Sequence, residues 1–211
     1  MLILIKNRNF KLIINLFVEN YTFIFFFQMS EIIETERLIL REMITSDDER
    51  LFILDSNPEV HKFLGNNPIS TIDEARYYVN LIRTQYQENG IGRWAVIEKE
   101  SNLFIGWSGL KVYKDEVKEL SNFYELGYRL MPQFWGKGYA TETAKAWLNY
   151  GFENFETDMI YGMTDINNHN SKNVLKKVGF TQNGGFDYEN DPKQPCDWFE
   201  ISRKDWLKEK K

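Results

Sequence analysis

NFYELGYRLMPQFWGKGYATETAKAWLNYG, residues Asn122–Gly151, is the most informative segment of this chain. Its first part, Phe123–Met131, is rich in aromatic and apolar residues and predicts a β-strand. The later part has apolar residues at spacings of three and four, which predicts one face of an α-helix. These residues are Ala140, Ala144, Trp147, Leu148 and Phe152. The segment is therefore a strand followed by a helix, with a short turn between them.

The turn, Gln133–Ala140, has the sequence QFWGKGYA. Two glycines and the absence of β-branched residues let successive backbone N–H groups converge at the N-terminus of the helix, where an anion binds. A P-loop is excluded because it requires a glycine further upstream and a hydroxyl residue after Lys137. A dinucleotide-binding fingerprint is excluded because position 141 is threonine instead of glycine.

The remaining pattern, Q/R-x-x-G-x-G/A, is met by Gln133, Gly136 and Gly138. It resembles the loop with which the GCN5-related N-acetyltransferase (GNAT) superfamily grips the pyrophosphate of acetyl-coenzyme A. A second block resembles the N-x-x-S-x-x-V-L-x-K-x-G-F block of the same superfamily, with Asn168 and Ser171 at its asparagine and serine. The two blocks occur in the family's order, one predicted strand apart.

Three shorter segments resemble the RimJ/RimL branch of this superfamily, whose members acetylate primary amines. They are ETERLILRE, GWSGL and ELGYRL. The resemblance extends from about Glu34 to Trp206. It implies an α/β protein with the GNAT fold, a mixed central β-sheet with splayed central strands and flanking helices. We therefore expect residues 29–211 to form a single domain.

Local patterns predict the other elements of this domain. Ser46–Glu49 and Thr71–Glu74 have the pattern of capping boxes, which predicts one helix over Asp47–Ser56 and another from Thr71 to about Glu88. The second helix would bury Ala75, Tyr78, Val79 and Ile82. Near the other end, Gly184-Gly185 and the polar residues after them predict an irregular loop or a hairpin turn.

Residues 1–28 are dominated by Leu, Ile, Phe, Asn and Lys and differ in composition from the rest. Lys6, Arg8 and Lys11 interrupt the apolar run and no small-residue cleavage site follows, which argues against a signal peptide. The longest apolar stretch is shorter than the roughly 18–20 residues of a membrane span. We interpret residues 1–28 as a non-domain extension from a misplaced start codon; an anchor on a membrane surface is the alternative.

Composition narrows the functional class. The 211 residues are 43% hydrophobic and 16% aromatic, which fits one globular domain. A net charge of −5 provides no basic surface for nucleic acid and suits an amine substrate better than an acidic one. The lone Cys196 excludes an internal disulfide and suits a reducing, cytoplasmic compartment. No metal-ligand spacing occurs, so no metal is expected. We expect a monomer or a homodimer.

The resemblance also implies which residues bind the cofactor. Backbone amides from Trp135 to Ala140 would hold the pyrophosphate, and the Lys137 side chain would point either to phosphate or to solvent. Amides of Leu130 and Met131, at the strand end, would polarise the thioester carbonyl. Asn168 would position the pantetheine or start its helix. The full set is Leu130, Met131, Gln133, Trp135, Gly136, Lys137, Gly138, Tyr139, Ala140, Asn168 and Ser171.

Two residues are candidates for proton transfer. Glu125 lies in the middle of the predicted strand, where relatives carry carboxylates at similar positions. It is either the general base or a structural acid, paired to Arg129 or facing solvent. Many superfamily members place a tyrosine four residues after the serine of the second block to protonate the thiolate, but this chain has Leu175 there. That role passes to Ser171 or to water.

In acetyltransferases of this type, the loop between the first two helices borders the acceptor site. His61, Phe63 and Tyr77 or Tyr78 are therefore candidates for substrate contact, with packing as the alternative. The expected function is direct acetyl transfer in a ternary complex, from acetyl-coenzyme A to a protein N-terminal α-amine or a small amine. A polyamine or aminoglycoside acetyltransferase and a non-catalytic coenzyme A-binding module are the alternatives.

Overall fold

The computed structural model describes residues 3–7, 10–18, 21–27 and 31–210. The chain divides into two compact units, Met1–Ile32 and Ile33–Lys211. In the first unit, three strands form an antiparallel sheet; they are β1 (Ile3–Asn7), β2 (Phe10–Val18) and β3 (Tyr21–Phe27). The predicted domain boundary after residue 28 stays a prediction, because residues 28–30 lie outside the described part.

The rest of the described chain forms a mixed sheet and its flanking helices. Its strands are β4 (Ile32–Glu34), β5 (Leu38–Arg41), β6 (Arg93–Glu98), β7 (Leu103–Tyr113), β8 (Phe123–Leu130), β9 (Met159–Asp165), β10 (Thr181–Asp187) and β11 (Pro195–Ser202). Its helices are α1 (Asp48–Asp55), α2 (Pro58–His61), α3 (Ile72–Asn89), α4 (Tyr139–Asn154), α5 (His169–Lys177) and α6 (Arg203–Glu209). Within the described residues, no helix has the length and apolar character needed to cross a membrane.

The strand order is β10-β11-β9-β8-β7-β6-β5-β4. From β10 to β5, neighbouring strands are antiparallel, except that β8 and β9 run parallel. β8 pairs with β7 along its whole length, whereas its described register with β9 consists of the single pair Glu125↔Tyr161. Beyond Glu125, the edge of β8 is therefore open towards β9. The prediction of a mixed sheet with splayed central strands and flanking helices is confirmed.

Helix α4 packs on the sheet with the apolar face that its spacing predicts. The most buried residues of that face are Ala144, Trp147, Leu148 and Phe152. Trp147 meets Trp94 of β6 edge to face, with ring centres 5.0 Å apart. On the same helix, Gly151 allows close approach of the sheet, because a Cβ there would lie 2.5 Å from the Leu110 side chain. The helix is therefore fixed against β7 and β8, and its N-terminus is fixed with it.

Helix α3 begins with the predicted capping box. Thr71 Oγ1 accepts a hydrogen bond from the Glu74 amide at 3.3 Å, and the Glu74 carboxylate accepts one from the Thr71 amide at 2.9 Å. Ala75 and Val79 are buried as predicted. Tyr78 is 42% exposed, so its assignment to the apolar face is wrong.

The other predicted capping box, Ser46–Glu49, is wrong. The Asp47 carboxylate accepts a hydrogen bond from the Ile44 amide at 2.8 Å, while both Arg41 terminal nitrogens hold the same carboxylate at 2.7 and 2.8 Å. This ion pair makes Asp47 the capping side chain of a 3₁₀ turn that precedes α1. The capping-box pattern considers only residues within the turn, so it could not include Arg41 of β5, which binds the Asp47 carboxylate.

An irregular loop or a hairpin turn was predicted for the segment around Gly184 and the polar residues after it. The hairpin is confirmed, because strands β10 and β11 pair antiparallel on either side of residues 188–194, but Gly184 itself lies within β10. The backbone of β10 pairs with β11 from Thr181↔Glu200 to Asp187↔Pro195. The register shifts between Gln182 and Gly185, and Gly184 has a φ of +77°. The glycines therefore form a bulge within a strand, which local turn chemistry alone does not distinguish from a loop.

Candidate active site

The glycine turn has the backbone geometry of an anion-binding loop. A 3₁₀ turn, Pro132–Phe134, follows β8, and then Gly136 and Gly138 adopt left-handed φ values of +72° and +84°. Left-handed backbone costs a residue with a Cβ about 1–2 kcal/mol, which explains glycine at both positions. Gly138 is the N-cap of α4, so the loop leads directly into the positive end of the helix dipole.

A cleft of about 400 Å³ opens between this loop, the free edge of β8, helix α5 and the segment after α1. Most residues of the predicted cofactor set line it. They are Leu130, Trp135, Gly136, Gly138, Tyr139, Ala140, Asn168 and Ser171. The other predicted residues do not belong to its lining; they are Glu125, Met131, Gln133 and Lys137.

The two amides predicted to polarise the thioester carbonyl differ in their partners. The Met131 N–H donates to the Ile105 carbonyl at 2.9 Å, so its predicted role is wrong. Successive amides of a strand point to opposite sides, so the Leu130 N–H points away from β7 and towards the open edge. The Leu130 carbonyl, on that same side, accepts a hydrogen bond from the Trp135 indole at 2.6 Å.

Two loop side chains turn away from the cleft. Lys137 Nζ lies 5.0 Å from the centre of the Phe134 ring, and Gln133 Nε2 lies 3.6 Å from the Met131 sulfur. Lys137 is exposed, in agreement with the predicted solvent orientation, and its ammonium makes a cation–π contact with Phe134; a contact with phosphate stays a prediction. The loop therefore presents its backbone to the cleft, while its polar side chains hold the loop.

Helix α5 brings Ser171 to the cleft. Asn168 is its N-cap, with its side-chain oxygen accepting from the Ser171 amide at 3.1 Å. The Ser171 hydroxyl lies 3.0 Å from the Tyr128 hydroxyl, which also donates to the Ser171 carbonyl at 3.1 Å. Burial raises the pKa of Tyr128, so its phenol stays protonated at neutral pH. The sequence analysis missed Tyr128, because an aromatic residue in a strand is usually a packing residue.

Glu125 has a different partner from the one predicted. Its buried carboxylate forms an ion pair with Arg93 of β6, and Arg93 also donates to the Glu125 carbonyl at 3.0 Å. Arg129 instead pairs with Asp55 of α1 at 2.7 Å. The two guanidinium groups lie 5.3 and 4.9 Å from the Trp107 ring, which they share. The alternative of a Glu125–Arg129 pair is therefore wrong.

The candidates for acceptor contact separate into two groups. Phe63 lines the cleft, together with Glu59 from α2, whereas Tyr77 and Tyr78 are exposed outside it and contact each other edge to face. His61 is buried, and neither of its ring nitrogens has a hydrogen-bond partner within the described part of the chain. Burial and the charge of Arg129 lower the pKa of His61, so its ring is neutral at pH 7.

Two other kinds of reactive group, an ionised cysteine and a metal centre, are absent from the described residues of the cleft. The free thiol of Cys196 lies outside the cleft lining, and burial raises its pKa to about 11, so it is protonated at neutral pH. Across the described residues, no cluster of three or more His, Cys, Asp or Glu side chains has the arrangement needed to hold a metal ion.

Residues 37–181 match the family model described as an acetyltransferase (GNAT) domain. The chain belongs to the GNAT acetyltransferase family. It is similar to two proteins described as uncharacterized N-acetyltransferases. YoaA of Bacillus subtilis (strain 168) is 30% identical over 74% of this chain and 86% of its own length. Protein p20 of Bacillus licheniformis is 31% identical over 75% of this chain and 88% of its own length.

Solved structures confirm the GNAT fold. A spermidine N-acetyltransferase from Vibrio cholerae, in complex with CoA and spermine, has a TM-score of 0.66 at 21% identity, covering 82% of this chain and 99% of that one. RimL, an α-N-acetyltransferase of ribosomal protein L7/L12, has a TM-score of 0.68 at 17% identity, covering 83% and 96%. The chain is therefore an N-acetyltransferase of the GNAT family.

Proposed function

We propose that this GNAT protein transfers the acetyl group to a primary amine by direct attack in a ternary complex, as in the RimJ/RimL branch. One observation carries the proposal: no residue lining the described cleft is a cysteine or a histidine. The lining serine, Ser171, has its hydroxyl hydrogen-bonded to Tyr128 instead of a general base. Without an activated protein nucleophile, a covalent acetyl-enzyme is disfavoured and the amine itself attacks.

The donor is positioned by backbone groups. Acetyl-coenzyme A supplies the thioester whose carbonyl carbon is attacked and whose sulfur leaves. The amides around Gly136 and Gly138 would bind its pyrophosphate, and the pantetheine would follow the open edge of β8. The Leu130 N–H, which points to that edge, would donate to the carbonyl oxygen as negative charge develops there.

The attacking amine must lose a proton, and Glu125 is the proposed acceptor. Its carboxylate is outside the cleft lining and bound to Arg93, so it would receive the proton through a bridging water. The water path is thus the form of the base hypothesis that fits the geometry.

The leaving thiolate must gain a proton, and Ser171 is the proposed donor. The single proton of the Tyr128 phenol can point to the Ser171 carbonyl or to the Ser171 hydroxyl. When it points to the hydroxyl, the serine is free to donate its own proton towards the cleft. In that arrangement Tyr128 orients the serine hydroxyl. The pair occupies the role that the absent tyrosine at position 175 plays in relatives.

The acceptor class is proposed on charge. Glu59 is the acidic residue among those lining the described cleft, beside the basic Arg129 and Lys177. Because Arg129 is paired with Asp55, the Glu59 carboxylate in the cleft lining favours a cationic acceptor, either a protein N-terminus or a small amine. A polyamine or an aminoglycoside fits the same charge. We place the protein in the cytoplasm, where its free thiol stays reduced.

A thiol-release assay against ribosomal-protein N-terminal peptides, spermidine and aminoglycosides tests the proposal. Turnover with one class identifies the acceptor. In parallel, acetyl-coenzyme A at 100 times its dissociation constant should stabilise the fold by about 2.7 kcal/mol. A rise in melting temperature without turnover on any amine would instead support a non-catalytic coenzyme A-binding module.

A further inference from the structure

The glycine loop is held from outside the cleft by Arg37, which precedes β5. Its Nη1 donates to the Lys137 carbonyl at 2.9 Å, and its Nε donates to the Glu142 carboxylate at 2.7 Å. Its guanidinium also lies 4.5 Å from the centre of the Tyr139 ring. Arg37 itself does not line the cleft. The Arg37 side chain therefore contacts three residues, Lys137, Tyr139 and Glu142, where the glycine loop joins helix α4.

The bond to the Lys137 carbonyl has a direct consequence for the next amide. A trans peptide unit is planar, so the Lys137 C=O and the Gly138 N–H point in opposite directions. Because Arg37 draws the carbonyl away from the cleft, the Gly138 N–H is directed to the cleft side. This peptide unit joins Lys137 to Gly138, and Gly136 lies one residue before it. Glycine backbones rotate more freely than those of other residues, so the backbone alone does not fix the orientation of this unit. A side-chain contact is therefore what fixes the orientation of this donor.

The contact with Glu142 has an electrostatic consequence. This carboxylate lies in the first turn of α4, next to the loop, and accepts hydrogen bonds from the Thr35 hydroxyl at 2.5 Å and the Arg37 amide at 2.9 Å. Partial burial pushes the pKa of Glu142 upward, but these bonds and the Arg37 guanidinium together hold it below its usual range. Without the guanidinium, the Glu142 carboxylate would be an uncompensated negative charge in the first turn of α4, next to the glycine loop.

We propose that Arg37 is a positioning residue for cofactor phosphate, acting by orienting the Gly138 amide and neutralising Glu142. The proposal rests on the proposed function. This role differs from direct attraction between a cation and phosphate, because it requires one guanidinium to donate to the Lys137 carbonyl and to the Glu142 carboxylate at the same time. A lysine at this position keeps the charge but cannot hold the Lys137 carbonyl and Glu142 in the same geometry.

The test compares two acetyl donors with the best amine acceptor from the thiol-release assay. Acetyl-coenzyme A carries the pyrophosphate, and S-acetylpantetheine lacks it. Arg37→Gln and Arg37→Lys should each lower kcat/KM for acetyl-coenzyme A by roughly 10- to 100-fold, the range for a lost hydrogen bond to a charged group. The loss should appear in KM, and both variants should use S-acetylpantetheine as well as the unsubstituted protein does.

Arg76→Gln is the matched control. Arg76 is also an exposed arginine held by ion pairs, with Asp48 at 3.0 Å and Asp73 at 2.9 Å, but it lies outside the cleft lining and does not contact the loop. It should change kcat/KM for neither donor. If Arg37→Gln fails to fold, Arg37→Lys retains the charge and the apolar stem, and the comparison of donors is made on that variant.

Three results would overturn the proposal. An equal loss with both donors would show that Arg37 supports the whole domain instead of the phosphate loop. Full activity in Arg37→Lys would show that its charge, and not its hydrogen-bond geometry, matters. If coenzyme A binds the unsubstituted protein and Arg37→Gln equally in calorimetry, only this proposal fails. If the unsubstituted protein does not bind it, the proposed function fails as well.

Discussion

The two sides of the cleft, which we propose bind the acetyl donor and the amine acceptor, present different kinds of groups. The donor side consists of the loop Gln133–Ala140 and the open edge of β8, and its groups are backbone amides with left-handed glycines between them. The proposed acceptor side consists of residues of α2, residues that follow it and Arg129 of β8, which all line the cleft, with Glu125 of the same strand behind the lining. Its groups are charged side chains, and the buried ones are bound in ion pairs.

This difference predicts which amino-acid substitutions each side of the cleft tolerates. On the donor side, most side chains can change as long as the backbone keeps its conformation. On the acceptor side, removing one charge leaves its buried partner uncompensated, which costs about 3–5 kcal/mol in proteins generally. Substitutions that alter backbone conformation should therefore affect donor binding, and substitutions that remove a charge should affect turnover or acceptor binding.

The largest effect is expected from Gly138→Asp. The substitution places a Cβ 3.5 Å from Arg37 Nη2 and adds a negative charge there, in left-handed backbone, so it should disrupt the loop that presents its amides to phosphate. Coenzyme A binding should therefore be abolished in calorimetry. Gly90→Asp is the matched control, because Gly90 also has a left-handed φ, +69°, and a Cβ there meets nothing within 4 Å. Both variants should lose about 1–2 kcal/mol of stability to backbone strain. Wild-type affinity in Gly138→Asp would mean that the loop amides do not bind the donor.

The next effect is expected from Glu125→Gln on the other side. If Glu125 accepts the amine proton through water, kcat/KM should fall by about 10²–10⁴-fold near neutral pH, with coenzyme A affinity unchanged. The loss should shrink as pH rises, because a larger share of the amine is then already neutral. Steady-state rates and melting temperature on the same variant provide the measurement.

Asp47→Asn controls for the loss of a buried ion pair. Asp47 is as buried as Glu125 and is held by Arg41, but it does not line the cleft. It should lower the melting temperature and leave the turnover of the folded protein intact. Normal turnover in folded Glu125→Gln would eliminate the base assignment, and Glu125 would then be a structural partner of Arg93.

A smaller effect is expected at Glu59. Glu59→Gln should raise KM for a cationic acceptor by a few-fold, on the scale of about 0.2–1 kcal/mol for an exposed charge pair, and leave KM for acetyl-coenzyme A unchanged. Glu49→Gln, an exposed acid on α1 outside the cleft lining, is the control. A selective rise in the KM of the donor would assign Glu59 to the donor side and contradict the division.

The donor side was predictable from sequence because backbone conformation has a local signature. Gly136 and Gly138 at fixed spacing, after a strand and before a helix, specify the anion loop without reference to the rest of the chain. The same locality explains why the Thr71 capping box and the buried face of α4 were predicted correctly. Each depends on residues within a few positions of one another.

The acceptor side was not predictable because its partners are distant in sequence. Arg93 and Glu125 are 32 positions apart, and Asp55 and Arg129 are 74 apart. Only the register of β6, β7 and β8 brings Arg93 to Glu125, and the sequence offered Arg129, four positions away, as the nearer choice. The same reason explains why Tyr128 was missed, since its partner Ser171 is on α5.

The smallest effect, no change, is expected when the chain begins at Met29. The strands β1, β2 and β3 pair with one another, and the compact unit Met1–Ile32 is distinct from Ile33–Lys211, which holds every described residue lining the cleft. The shortened protein should therefore keep its melting temperature, its KM for acetyl-coenzyme A and its KM for the acceptor. Thermal unfolding and steady-state kinetics of both lengths make the comparison. A rise confined to the KM of the acceptor would place part of the acceptor side in the first unit. A loss above ~2 kcal/mol, the scale of deleting a large core side chain, would make residues 1–28 part of the folded domain.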